Sequence, residues 1–147
     1  MPLFEEKHLT IHHDEDTNCI HMQWIGFATS QKYRHGMNTG LEKVKEKEVT
    51  RWLANMAEMG AITPEDQKWT NEDWFPRLLE SGIRTAAVVM SKDVFNQLAV
   101  KKIGEEMTDN NYTMQFFDNL EEAKEWLKNY QIQDKETVMA EQKQEEA

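Results

Sequence analysis

The chain has 147 residues, 30% of them charged and 39% apolar, with a net charge of −10 and one cysteine. That length is one domain with a core of its own. The acidic balance excludes ordinary nucleic-acid binding, which needs clustered Lys and Arg to release counterions, and the single Cys19 excludes an internal disulfide and any multi-cysteine metal site, in keeping with a reducing compartment. No window approaches the roughly 18 continuous apolar residues of a membrane span. The opening MPLFEEKHLTIHHDEDTNC has neither the basic nor the apolar region of a secretion signal, so the expected location is cytoplasmic.

In chain order, HLTIHHD puts Leu9 and Ile11 on one face, EDTN supplies a turn, and CIHMQWIGFA aligns Ile20, Met22 and Trp24 at period two. The pair reads as an N-terminal hairpin. A turn centred near Asp16 and Thr17 sets residue 12 opposite residue 21. Thr29 or Ser30 then caps a helix through QKYRHGMNTGLEKVKEKE, in which Tyr33, Met37, Leu41 and Val44 recur every three to four residues. Gly36 and Gly40 lie four apart in it and predict a close approach to the sheet.

VTRWLANM, RTAAVVMS and YTMQFFDN follow as the third, fourth and fifth strands. DVFNQLAVKKIGEEM is a helix with an apolar face of Val94, Phe95, Leu98 and Ile103. LEEAKEWLKNY is the last helix, capped by Asp118 or Asn119, with acids in its first turn opposing the helix dipole. The order β β α β α β α β α predicts right-handed crossovers and a largely parallel sheet with an antiparallel hairpin at one edge. The domain is expected over residues 1–130. The remainder, QIQDKETVMAEQKQEEA, has high helix propensity and little to bury, which fits either a charged tail, helical or disordered, or a docking helix using Ile132, Val138 and Met139.

The segment ITPEDQKWTNEDWFPRLLESG, residues 62–82, carries two helix-start signals. Thr63 is placed as an N-cap with Pro64 at the first helical position and Asp66 closing a capping box. Thr70 to Asp73 repeats the box, and Pro76 removes a helical N–H. Two short helices or one kinked helix are expected, ending at Gly82. A break there turns Trp69 and Trp74 so that both cover the sheet. Trp52, Trp69 and Trp74 are therefore either core or an aromatic wall for an apolar or planar ligand.

Other chemistry-bearing residues are sparse. His8, His12 and His21 share one face of the hairpin in this reading and could take a zinc or nickel ion with Asp14 or Asp16, although exposed strand histidines explain them more simply. Cys19 has no adjacent base in sequence. The paired carboxylates Glu65-Asp66 and Glu72-Asp73 sit in first helical turns, where capping accounts for them. Phosphate loops, nucleophile elbows and HExxH motifs are lacking. No catalytic residue, metal or cofactor is expected.

The run RWLANM, then ITPEDQKWTNEDWFPRLLESGIRTAAVV, then FFDNLEEAKEWL resembles the SpoIIAA-like group of the STAS superfamily, over roughly residues 5–130. The resemblance implies a four- to five-stranded mixed sheet with helices mainly on one face. It also implies a non-enzymatic regulatory or protein-interaction role, as in anti-sigma-factor antagonists, or lipid binding as in SEC14-like domains. Those antagonists switch partners by phosphorylation of a serine in a D-x-S setting. The matching stretch here, Ala54 to Gly60, has no serine, and Thr63 is the nearest hydroxyl.

The expected interaction loop accordingly runs from Met56 to Ile62 with Asn55, Met56, Glu58, Met59 and Thr63 as its contact residues, the methionines being exposed and adaptable. The alternative is an apolar small-molecule or lipid pocket on Trp52, Trp69 and Trp74. A protein partner and a homodimer, formed through the sheet edge that the hairpin exposes or through the tail, are the expected associations. No nucleic acid and no integral membrane segment are expected.

Overall fold

The computed structural model of the chain describes residues 2–106 and 111–130. Among these residues six strands form one sheet in chain order: β1 (Phe4–Glu6), β2 (Leu9–Asp14), β3 (Cys19–Gly26), β4 (Arg51–Met59), β5 (Thr85–Val89) and β6 (Thr113–Phe117). Strands β1 to β3 are antiparallel, and β3 to β6 are parallel. The hairpin has the register expected from its turn, with His12 opposite His21. Strand β1 is an addition to the sequence-based order, because FEE is too short to show an alternation. It pairs Phe4 with Ile11 and covers the hairpin's outer side.

The helices are α1 (Ser30–Lys47), α2 (Pro64–Trp69), α3 (Phe75–Glu80), α4 (Val94–Glu106) and α5 (Leu120–Asn129). Since β3 to β6 advance across the sheet in one direction, right-handed crossovers place α1, α2–α3 and α4 on the same face. The main core lies there, joining Leu9, Met22, Trp24 and Trp52 of the sheet to Tyr33, Leu41, Trp74, Leu78 and Val100 of the helices. Helix α5 packs on the reverse face, where Ala123 and Leu127 meet Cys19, Leu53, Ala87 and Val89. It lies against β4, β5 and β6.

Local signals account for most boundaries. Thr29, not Ser30, caps α1 by accepting the Lys32 N–H at 3.4 Å. Thr63 accepts the Asp66 N–H at 3.2 Å and Asn119 the Glu122 N–H at 2.9 Å. Gly82, with φ of 106°, takes the conformation that ends α3. Gly36 and Gly40 let α1 lie on the sheet: a methyl group would stand 2.6 Å from Leu9 Cδ2 at the first and 2.6 Å from Trp52 Cη2 at the second.

Two further expectations change. Thr70 does not cap a second helix; its hydroxyl donates back to the Asp66 carbonyl at 2.7 Å. The chain instead continues through a π-helical turn, Thr70–Trp74, into α3, with Pro76 in the first turn of α3. One extra residue in the turn relieves the ring–carbonyl conflict without breaking the helix. The apolar face of α4 is also rotated from the one expected: Asn96, Ala99, Val100 and Ile103 are buried, while Val94, Phe95 and Leu98 point outward. Residues 131–147, the expected tail, lie outside the described residues.

Candidate functional site

Strand β4 runs through Met59, so Asn55, Met56, Glu58 and Met59 are strand residues and the connecting loop is only 60–63. Met56 and Met59 are buried, which corrects the expectation of exposed methionines. The reason is the length of β4, which extends past the end of β5 and pairs Glu58 and Met59 with Ile25 and Gly26 of β3. Asn55 turns its side chain to accept the Ala57 N–H at 3.2 Å. Glu58 is exposed, and so is Thr63, whose hydroxyl is committed to its cap.

At this C-terminal end of the parallel strands three connections are tied together. The Gly60 N–H donates to the Gly26 carbonyl at 2.9 Å, and Asn96 Nδ2 donates to the Gly60 carbonyl at 2.7 Å. Ser91 Oγ donates to the Met59 carbonyl at 2.7 Å. Asp93 then caps the start of α4 by accepting the N–H groups of Phe95 and Asn96. A methyl group on Gly60 would lie 3.7 Å from the Phe27 Cα. The result is a firm platform carrying Phe27, Val94, Phe95 and Leu98, which are 64%, 62%, 74% and 62% exposed. All four stand on segments that Gly60 ties together.

Beside the platform, Asp66 is buried and gathers α1 to α2, accepting from Ser30 Oγ at 2.7 Å and Arg34 Nε at 2.9 Å. Tyr33 and Thr70 join their hydroxyls at 2.7 Å one turn further in, and burial pushes the Tyr33 phenol up.

The expected aromatic wall separates into two parts. Trp52 and Trp74 meet edge to face at 5.2 Å, and Trp74 Nε1 donates to the Met37 carbonyl at 3.0 Å. With Met37, Met56, Tyr112 and Met114 they line a part-open apolar pocket of about 50 Å³. Trp69 lies apart from it, against Tyr33 and under the guanidinium groups of Arg34 and Arg77. The cavity is well under the roughly 150 Å³ of an engineered apolar cavity that admits benzene.

The histidines also divide. His12 and His21 face each other with ring centroids 6.0 Å apart on the reverse side of the sheet, whereas His8 packs beside Trp24 of the main core. Burial, then Lys124 and His12, hold His21 down to about 4. Among the described residues no three His, Cys, Asp or Glu side chains converge to hold a metal ion. Cys19 is buried against the Thr17 hydroxyl at 2.9 Å, and burial pushes its thiol up to about 11, where it is a poor nucleophile.

A family model described as SpoIIAA-like matches residues 19–128. The chain belongs to the SpoIIAA-like family. Its fold is shared with the crystal structure of an uncharacterized protein of the DUF3478 family, with a SpoIIAA-like fold, from Shewanella loihica PV-4. The TM-score is 0.54 at 16% identity, covering 85% of this chain and 98% of that one. A search of curated proteins finds no match. In this SpoIIAA-like chain, no described helix is long and apolar enough to cross a membrane. The exposed platform was not among the sequence-derived site residues. Its one legible signal is the polar Asn96 amid Val94, Phe95 and Leu98, which marks the side of α4 that turns inward to bond a loop.

Proposed function

We infer that the chain is a non-enzymatic protein-interaction module of the cytoplasm, docking a partner protein on the platform of Phe27, Val94, Phe95 and Leu98. The observation that carries this is the exposure of those four side chains on segments pinned through Gly60. Their apolar area has no role in the core, yet it is held by a capped helix and three tied connections. Such preorganisation lowers the ordering cost of binding. The rim is mixed in charge, with Glu58, Lys92, Asp93 and Lys101 exposed around it, so the partner is expected to bring an apolar ridge flanked by both signs. Docking would involve the previously expected segment only through its short loop 60–63 and the flanking Glu58 and Thr63. The alternative, an apolar ligand on Trp52 and Trp74, is less well supported because the cavity there is so small.

The test compares affinity capture from the native host by the wild type and by Phe95→Asp and Phe27→Ser, whose side chains are exposed. A protein recovered by the wild type and lost with both variants supports the reading. Equal recovery by all three baits refutes it, and binding of the wild type to phospholipid vesicles with no protein recovered would assign the platform to a lipid surface instead.

A further inference from the structure

The two edges of the sheet are built differently. Strand β1 is three residues long and carries Glu5 and Glu6, which is how edge strands are normally kept from pairing. Strand β6 is TMQFF, five residues without a charge, a proline or a glycine. Among the described residues it ends the sheet beyond β5, and its side chains are half-buried apart from the exposed Gln115. Beside its C-terminal half runs a groove of about 420 Å³, lined by Gln97 and Lys101 of α4, by Gln115, Phe116 and Phe117, and by Glu122 of α5.

Backbone direction defines what fits this edge. The Thr113 N–H donates to the Arg84 carbonyl, and the Phe117 carbonyl accepts the Met90 N–H. By alternation, Thr113, Gln115 and Phe117 turn their peptide groups inward to β5, and Met114 and Phe116 turn theirs outward. We propose that β6 is a strand-pairing edge through which two copies of the chain join, antiparallel, about a two-fold axis at Gln115. In that register Met114 faces Phe116 of the second copy, and Phe116 faces its Met114. Each of these pairs exchanges both its N–H···O bonds, because the outward groups fall opposite one another. Met114 and Phe116 also share one face of the sheet, so the same pairing stacks apolar side chains across the junction.

Gln115 meets itself on the axis, and an amide can donate to and accept from its copy. An isologous contact of this kind closes after two copies and leaves the short, charged β1 edges outermost. A strand junction alone is smaller than the roughly 1,000 Å² of a stable interface. The groove residues beside β6, Phe117 and Lys101 among them, would have to contribute the remainder.

The experiment is sedimentation velocity of the full chain across a concentration series, with Gln115→Lys and Gln115→Glu. Both changes are on an exposed side chain. The wild type is expected to be a dimer, each variant to dissociate about fivefold more readily because like charges are set opposite one another, and an equimolar mixture of the two to re-form a dimer. Hydrogen exchange should show Met114 and Phe116 amides protected in the wild type and released in either variant, with Gln115, bonded to β5, protected in all. A wild type that stays monomeric overturns the proposal, even if those two amides are protected, since another segment of the same chain would then cover the edge. A dimer indifferent to both charges overturns it as well. Phe95→Asp should leave the dimer unchanged, so failure of the docking platform and failure of this edge are read separately.

Discussion

Replacing Gly36 by alanine puts a methyl group 2.6 Å from Leu9 Cδ2 and 2.8 Å from Trp24 Cη2, about 1 Å inside the optimal carbon–carbon separation. Neither neighbour can retreat easily. Leu9 and Trp24 are fully buried. The Trp24 ring stacks on Tyr33 at 5.6 Å and 19°, and Tyr33 is tied through its hydroxyl to Thr70. Alanine gains about 1 kcal/mol in helix propensity, against an overpacking cost at the upper end of about 1–3 kcal/mol. A net loss of about 2 kcal/mol follows, or about 6 °C in Tm for a domain of this size.

Two further glycines calibrate the argument. Gly40→Ala meets Trp52 and the Met22 thioether, but Trp52 borders the cavity and Met22 is flexible, so the net loss should stay below about 1 kcal/mol. Gly104→Ala meets only the ends of the half-buried Met114 and Phe116 side chains and should be near neutral. Urea unfolding followed by tryptophan fluorescence gives the ranking through its midpoint at unchanged slope. A Gly36→Ala midpoint at or above the wild type would show that α1 does not sit on β2 and β3 at this depth.

The remaining predictions concern charge. His21 is held at about 4 in the folded chain against 6.5 when free, so the unfolded chain takes up the proton first. Stability is therefore complete above pH 6.5 and falls as pH drops toward 4, by about 3 kcal/mol in all. His21→Gln should flatten that slope in a series of chemical melts, leaving a residue from His8, which burial lowers in the same direction; an unaltered slope would contradict the burial of His21. Asp66→Ala removes the acceptor for Ser30 and Arg34 and should cost about 2 kcal/mol, with faster amide exchange at the start of α2; a wild-type midpoint would mean the clamp carries no net energy.

Elements whose signal is local were legible. Hairpin register followed from the turn, Thr63 and Gly82 marked the ends of the α2–α3 region, and the close seating of α1 followed from Gly36 and Gly40. What failed depends on neighbours distant in sequence. FEE becomes a strand only because the hairpin offers it an edge. Met56 and Met59 become buried because β4 extends beyond β5 alongside the end of β3. The outward face of α4 could not be chosen from Val94, Phe95 and Leu98, since hydrophobic periodicity assumes that apolar means inward. Asn96 is buried because Gly60, 36 residues earlier, presents a carbonyl to it. For the same reason Trp52 and Trp74 could be placed together in the core while Trp69 could not be set apart from them.

The strands stand in the sheet in the order in which they are made. A chain emerging from its N-terminus can therefore add each strand to the one just completed, and no strand has to wait for a later one to be inserted between itself and its partner. Closure distances stay short at every step, which favours rapid assembly. Each intermediate still presents its newest strand unpaired on one side, so the risk of mispairing moves along the chain during synthesis and, among the described strands, comes to rest at β6.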